Sequence, residues 1–356
     1  MKVNKHLVFV CISLGFLFGC DEYKTYVINT VHRDGSVLRT VIVKNNHATF
    51  EPGAYRVPLD STWTIEYSTE ISENQDTTWI LRGEKLFNNV NGINAEYEAD
   101  SGANHTMIRF AAFKKKYRWF NTVYRFSETV KGILDVDNPI GNYLSADELK
   151  YFYLPESVLD TLESGADSLY YRALADSLET KSEEWLIACL IKQWTLNAHS
   201  LLKDRPGYTY SLEYLESIEP DLVKFAIEDE SGDDFFPDSL LAVLLGEKYV
   251  QDYVHELDSA ITMLDTVFNR YLNAKPYEVE IRMPGKVIGS NGYLVTGDEI
   301  ENTRGILWSV SGDYFLSEDY TMWVESRIPN NYARIISALF LAFAAFGLVW
   351  FRRKKY

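Results

Sequence analysis

Cysteine is almost missing from this chain: Cys11, Cys20 and Cys189 are all that 356 residues hold. Widely spaced and odd in number, they offer no disulfide framework and no cysteine-rich zinc site. Histidine is sparse as well. His6, His32, His47, His105, His199 and His255 include no H-x-x-x-H or HExxH pair that would set two imidazoles on one helical face. Neither a G-x-S-x-G nucleophile elbow nor a phosphate-cradling P-loop occurs. Positive charge is in deficit, 35 Lys and Arg against 51 Asp and Glu, which leaves a formal charge of −16. A surface so acidic repels nucleic acid and excludes it as a partner. No cofactor, metal site or catalytic residue can be named from what remains. Carboxylates are so plentiful that a pair suited to glycoside hydrolysis carries no information.

What the sequence does have is two membrane-directed ends. Lys2 and Lys5 precede an apolar run from Leu7 to Phe18 that is too short to span a bilayer, since about 20 apolar residues are needed. A charged start, a short apolar core and a small residue at the boundary make a secretory signal peptide. That boundary reads Leu17-Phe18-Gly19-Cys20 and resembles the lipobox of bacterial lipoproteins. The resemblance implies cleavage before Cys20 and a diacylglyceryl group on its thiol, so Cys20 is the expected site of lipid attachment. Asp21-Glu22 follows, a pair similar to a lipoprotein sorting feature. The whole layout resembles envelope lipoproteins of Bacteroides-type bacteria.

At the other end stands "NNYARIISALFLAFAAFGLVWFRRKKY", uncharged from Ile335 to Phe351. Tyr332 and Trp350 mark its edges, and Arg352, Arg353, Lys354 and Lys355 follow, the aromatic and basic anchors expected of a membrane helix with its cations in the cytoplasm. Ala338 and Ala342 are read as lipid-facing. The bulk of the chain is therefore expected on the outer side of the plasma membrane. Two of the 35 cations lie in the leader and five at or beyond Arg334, leaving 28 against all 51 acids, so the exported part is formally about −23.

Between the ends, strand and helix signals separate cleanly. "TYVINTVHRDGSVLRTVIV" holds two β-branched runs around Asp34-Gly35, a hairpin signal. "GAYRVPLDSTWTIEYST", "TTWILRGEKLF" and the aromatic-rich run from His105 to Val130 continue in the same style. Near Pro139 the composition turns to Leu, Ala, Glu and Lys. Ile187, Leu190, Ile191, Trp194, Ala198 and Leu201 fall on one helical face. Val250, Val254, Leu257, Ile261, Leu264, Phe268 and Tyr271 form a heptad-like seam. Pro206-Gly207 and Ser231-Gly232 are the breaks. Strands return with "PYEVEIRM", "RGILWSV" and "YTMWVESR", the last reaching the membrane helix through a neck from Ile328 to Tyr332.

The expected fold class is α+β: one antiparallel β domain made of N- and C-terminal strands, with a helical insertion and a C-terminal transmembrane helix. The expected boundaries are a signal peptide over 1–19, strands over 20–138, the insertion over 139–275, strands over 276–331, the membrane helix over 332–351 and a basic tail over 352–356. Over residues 277 to 327, "RMPGKVIGSNG" and "ILWSV" resemble the LppM-type β domain of membrane-tethered envelope proteins, which implies an extracytoplasmic binding or scaffold module.

Two stretches invite a sharper reading. "FKKKYRWFNTVYRF" interleaves cations and aromatics; as one strand it sets Lys115, Tyr117 and Trp119 on one face and Arg118, Phe120, Thr122 and Tyr124 on the other. Its cations are expected to pair with the abundant acids. "EDESGDDFFPD" is an acidic loop without the glycine and closing glutamate of a calcium loop. Cys189, inside "EEWLIACLIKQW", is expected to be a buried, inert thiol. Three function classes follow: a non-enzymatic envelope binding or scaffold protein, an exported hydrolase of glycan or peptide, and an accessory subunit of a membrane complex. The first fits the sequence best, with the plasma membrane and an envelope protein as the partners.

Overall fold

The computed structural model describes residues 24–50, 57–72, 75–100, 107–154, 168–228, 251–273, 276–294 and 305–353. The leader, Cys20, Asp21-Glu22, most of the acidic loop, Ser231-Gly232, Val250 and the last three residues lie outside them.

Strand β1 (Lys24–Val31) turns into β2 (Val37–Asn45) through the expected Asp34-Gly35 hairpin. Gly35 has φ of +97°, a left-handed conformation that glycine adopts without a Cβ penalty. The Asp34 carboxylate accepts from the Ser36 N–H and hydroxyl at 3.0 and 2.7 Å, which closes the turn. β3 (Thr64–Ile71) and β4 (Thr77–Phe87) extend the sheet. Helix α1 (Val90–Ala99) then interrupts the strands and lies against β5 (Arg109–Arg118), where Asn94 exchanges two hydrogen bonds with the Ala111 backbone. β6 (Asn121–Val130) returns antiparallel to β5.

The helices follow: α2 (Ala146–Phe152), α3 (Ser168–Leu202), α4 (Leu212–Glu228) and α5 (Val254–Asn273). The two helical faces read from sequence meet one another. Leu190, Trp194 and Ala198 of α3 pack on Leu257, Ala260 and Leu264 of α5, while Ile187 and Ile191 take Leu222 of α4. Gly207, at φ of +89°, marks the break after α3.

β7 (Tyr277–Arg282), β8 (Lys286–Ser290), β9 (Tyr293–Leu294), β10 (Ile306–Val310) and β11 (Tyr320–Pro329) complete two sheets. The larger runs β3-β4-β2-β1-β7-β10-β9, the smaller β5-β6-β11-β8. N- and C-terminal strands thus share both sheets. Thr40 and Ile281 stand in the same one, through the β1–β7 pair, and β6 pairs with β11 over ten residues, Val130 opposite Tyr320. Val27, Val41, Val279 and Trp308 from one sheet, Phe126, Met322 and Val324 from the other, and Ile93 from α1 form a single apolar core. Gly292 lets the β8–β9 turn approach the indole of Trp308; a Cβ there would come within 2.3 Å of the ring.

Four expectations need correction. The β arrangement is antiparallel-dominated rather than antiparallel, because β1 and β7 run parallel. The strands form two sheets, and the first strand-rich segment also contains α1. The run through Lys115 and Tyr124 is two strands, with Trp119-Phe120 as a two-residue turn between Arg118 and Asn121. No five-residue neck exists: β11 ends at Pro329 and helix α6 (Asn331–Arg353) begins after Asn330 alone. The stretch Asn331–Phe351 of α6 is long and apolar enough to cross a membrane, with mean hydropathy 2.0.

Candidate functional site

Cys189 lies on α3, which buries it completely against the segment that follows β6. Burial pushes its thiol up to about 11, far from a nucleophile's range. The Asn138 amide donates to its Sγ at 3.3 Å, and the Asn138 carbonyl accepts from Trp185 Nε1 at 2.8 Å and Ser317 Oγ at 2.7 Å. This thiol belongs to a structural knot that ties α3 to the strands.

The histidines are scattered. His32 meets Ser36 at 2.9 Å in the first hairpin, His199 faces the Tyr208 hydroxyl at 3.5 Å, and His47 and His255 are exposed. Among the described residues no group of three or more His, Cys, Asp or Glu side chains could hold a metal ion. Ala338 and Ala342 are exposed on α6.

The basic hairpin differs from its expected role. Lys115 donates to the Arg33 carbonyl at 3.0 Å and sits over the Tyr124 ring, Arg125 lies over Trp323, and among the described residues the acid partner of the run is Glu325, 3.9 Å from Arg125. Lys115 and Arg125 are therefore held mainly by backbone and aromatic rings, not by the carboxylates that the composition supplies.

Two polar constellations were not visible in the sequence. The first is buried where the sheets and α1 meet. Arg39 of β2 donates from Nε to Asn29 Oδ1 at 2.8 Å and from Nη2 to Glu128 Oε2 at 2.6 Å, and its other terminal nitrogen donates to the Tyr97 hydroxyl. Tyr97 in turn donates to Glu128 Oε1 at 2.5 Å, and Arg109 lies 4.2 Å from the centre of its ring. The side chains of Arg39 and Glu128 are 1% and 3% exposed, so this pair has no aqueous screening. Burial drives the Tyr97 hydroxyl well above its ordinary range, which keeps it a donor to the carboxylate. No ligand can reach these atoms without opening the core, and their role is to fix the two sheets and α1 in register.

The second is a cleft of about 610 Å³ between α3 and α4. Tyr143, Glu184, Lys192, Glu216, Glu219 and Lys224 supply its polar lining. Pro220 occupies an interior position of α4 and follows Glu219 directly. Glu219 is buried, its Oε1 has no hydrogen-bond partner among the described residues, and desolvation raises its carboxyl from 4.5 to about 7 despite the opposing charge of Lys192. Lys192 donates to Asn138 Oδ1 at 3.2 Å. A carboxyl held near neutrality can donate a hydrogen bond or a proton to whatever enters the cleft.

The raised carboxyl has a consequence for stability. The unfolded chain loses the Glu219 proton near 4.5, whereas the folded chain keeps it to about 7. The unfolded state therefore binds fewer protons in that window, and Glu219 makes stability fall as pH rises from about 4.5 to about 7. In urea unfolding, Glu219→Gln should gain stability relative to the parent on passing from pH 5 to pH 8. A constant difference across those pH values would mean that the carboxyl titrates normally.

No protein-family model, no curated protein and no solved structure matches this chain.

Proposed function

We propose that this chain is a membrane-anchored extracytoplasmic protein of a bacterial envelope. In this reading Cys20 carries a lipid and α6 crosses the plasma membrane. The residues between them bind or scaffold another envelope component instead of catalysing a reaction. The observation that carries the reading is the state of α6: a 21-residue apolar segment, none of whose most apolar part is buried among the described residues. Leu339, Phe340, Leu341, Phe343, Phe346 and Leu348 each expose about two thirds of their surface or more. Burying one such side chain is worth about 1.5–3 kcal/mol, so water is a costly surrounding for all six and a bilayer is not. The basic tail that follows favours a cytoplasmic C-terminus.

A binding role is supported by β3, an outer strand of the larger sheet whose eight residues are all exposed. Among the described residues no strand pairs with its outer edge, and Ile65, Tyr67 and Ile71 add apolar surface for an added strand. The exported-hydrolase reading draws on one feature, the Glu219 cleft.

Protease added to spheroplasts should digest the exported part and spare a tag placed after Tyr356. Mass spectrometry of the mature N-terminus should find an acylated Cys20. A digested tag reverses the topology, and an unmodified Cys20 removes the lipid from the proposal.

A further inference from the structure

The tip of the β5–β6 hairpin is fixed to the beginning of α6. Asn330 supplies the lock: its amide donates to the carbonyls of Arg118 and Trp119 at 2.8 and 3.3 Å, its N–H donates to the Phe120 carbonyl at 3.0 Å, and its Oδ1 accepts from Thr122 at 3.1 Å. The same residue's carbonyl accepts the N–H of Arg334 in the first turn of α6. One helical turn further on, the Trp119 indole donates to Ser337 Oγ at 2.8 Å. The hairpin itself runs beside β11, and the Trp119 side chain at its tip reaches past the entrance of the helix.

Depth follows from length. At a rise of about 1.5 Å per residue, the stretch Asn331–Phe351 is about 31 Å long, close to the hydrocarbon thickness of about 30 Å. Almost all of it is needed to span, which sets Ser337 roughly 9 Å along the helix from Asn331. A side chain bonded to Ser337 cannot then stay outside the lipid. Trp119, Phe120 and Tyr117 expose about half of their surface at this place, and Trp and Tyr are the residues that settle at the headgroup level. The Trp119–Ser337 bond also gives the helix hydroxyl a partner where lipid offers none.

Charge agrees. From Met107 to Ser127 the chain contains no Asp or Glu, within an exported part formally near −23. Lys114, Lys116 and Arg118 alternate along the β5 face opposite Tyr117, all exposed, and form no ion pair among the described residues. Cations immediately above a layer of buried aromatics match the phosphate of an anionic phospholipid headgroup.

We infer that the β5–β6 tip is a lipid-binding wedge. Trp119, Phe120 and Tyr117 enter the outer-leaflet interface beside α6, and Lys114, Lys116 and Arg118 bind anionic phospholipid headgroups. This rests on the proposal that α6 spans the membrane and adds a second contact with the same bilayer. With helix and hairpin both engaged, the sheets stand at a fixed orientation on the membrane and do not swivel on one helix.

The test uses the full chain in nanodiscs of phosphatidylcholine and phosphatidylglycerol whose acyl chains are brominated near the headgroup, with tryptophan quenching as the readout. Trp119→Phe and Trp350→Phe should each remove about half of the quenchable emission, because these two indoles are the ones at interfacial depth. If Trp350→Phe lowers quenching and Trp119→Phe does not, the wedge is refuted and the spanning helix stands. If neither variant changes it, both proposals fall. The cation part is read by energy transfer to dansyl-labelled lipid: the Trp119 contribution should favour labelled phosphatidylglycerol over labelled phosphatidylcholine severalfold. A Lys114→Gln, Lys116→Gln, Arg118→Gln variant with unchanged circular dichroism should lose that preference. Equal transfer to the two lipids in the parent would overturn headgroup binding.

Discussion

Replacing Glu128 with glutamine is expected to cost about 3–5 kcal/mol, a large share of the stability of any single domain. The carboxylate accepts from Arg39 on one oxygen at 2.6 Å and from Tyr97 on the other at 2.5 Å, in a space closed to water. Arginine stays charged under all accessible conditions, and the carboxylate beside Arg39 raises its affinity for the proton further. Glutamine keeps the shape but removes the charge and turns an amide N–H₂ towards donors. Arg39 would then be a buried cation without a counter-charge. The loss belongs to the broken pair and not to the pair as such, so Arg39→Met combined with Glu128→Leu should recover much of it. Urea unfolding of the two single variants and the double variant measures the coupling. A Glu128→Gln protein within about 1 kcal/mol of the parent would show that water or a neighbouring group solvates the Arg39 cation in place of the carboxylate.

This cluster also shows where sequence reasoning ends. Asn29, Arg39, Tyr97 and Glu128 are separated by up to 99 positions, and each alone resembles a polar residue on the outer face of a strand or helix. Only the pairing of β2, α1 and β6 turns them inward together. Local signals fared better where one turn or one face carries them. Asp34-Gly35 gave its hairpin, the face from Ile187 to Leu201 gave the buried side of α3, and the alternation in "PYEVEIRM" gave β7. Helix α1 escaped because Asn and Gly in "VNGINAEYEA" have poor helix propensity. Its N-cap Asn89, which accepts from the Asn91 N–H, was the available sign. The Trp119-Phe120 turn escaped because it lacks the glycine or asparagine of two-residue hairpins, and neither residue has a positive φ. Aromatic residues at a hairpin tip serve what the tip touches, which explains why the turn chemistry was silent there. Glu219 was one acid among many until burial between α3 and α4 singled it out.

Excising the helices should leave the two sheets folded. Among the described residues every strand pair lies outside 139–275, including the parallel β1–β7 pair and the long β6–β11 pair that join the chain's two halves. The sheet core from Val27 to Val324 likewise draws its buried members from the strands, α1, the segment before β3 and the segment after β10. Closing a shorter loop costs less entropy, so joining Asn138 to Pro276 through a Gly-Ser linker does not itself oppose folding. The cost arises at the seam. Leu134, Val136 and Leu316 are buried against Trp185 and Cys189 of α3, and Tyr153, just after α2, stacks on Tyr320 and meets Tyr314 edge-on. Exposing each aliphatic side chain forfeits about 1.5–3 kcal/mol, so the excised chain should be folded but markedly weaker. Polar substitutions at Leu134, Val136 and Leu316 should restore solubility, because these side chains serve only the seam. Hydrogen exchange gives the decisive measurement: amides of Val27 to Asn29 and Val279 to Ile281 should remain protected, since they lie in the pair that binds the two halves. Loss of protection in both strands, with no cooperative urea transition, would mean that the helices hold the sheets together.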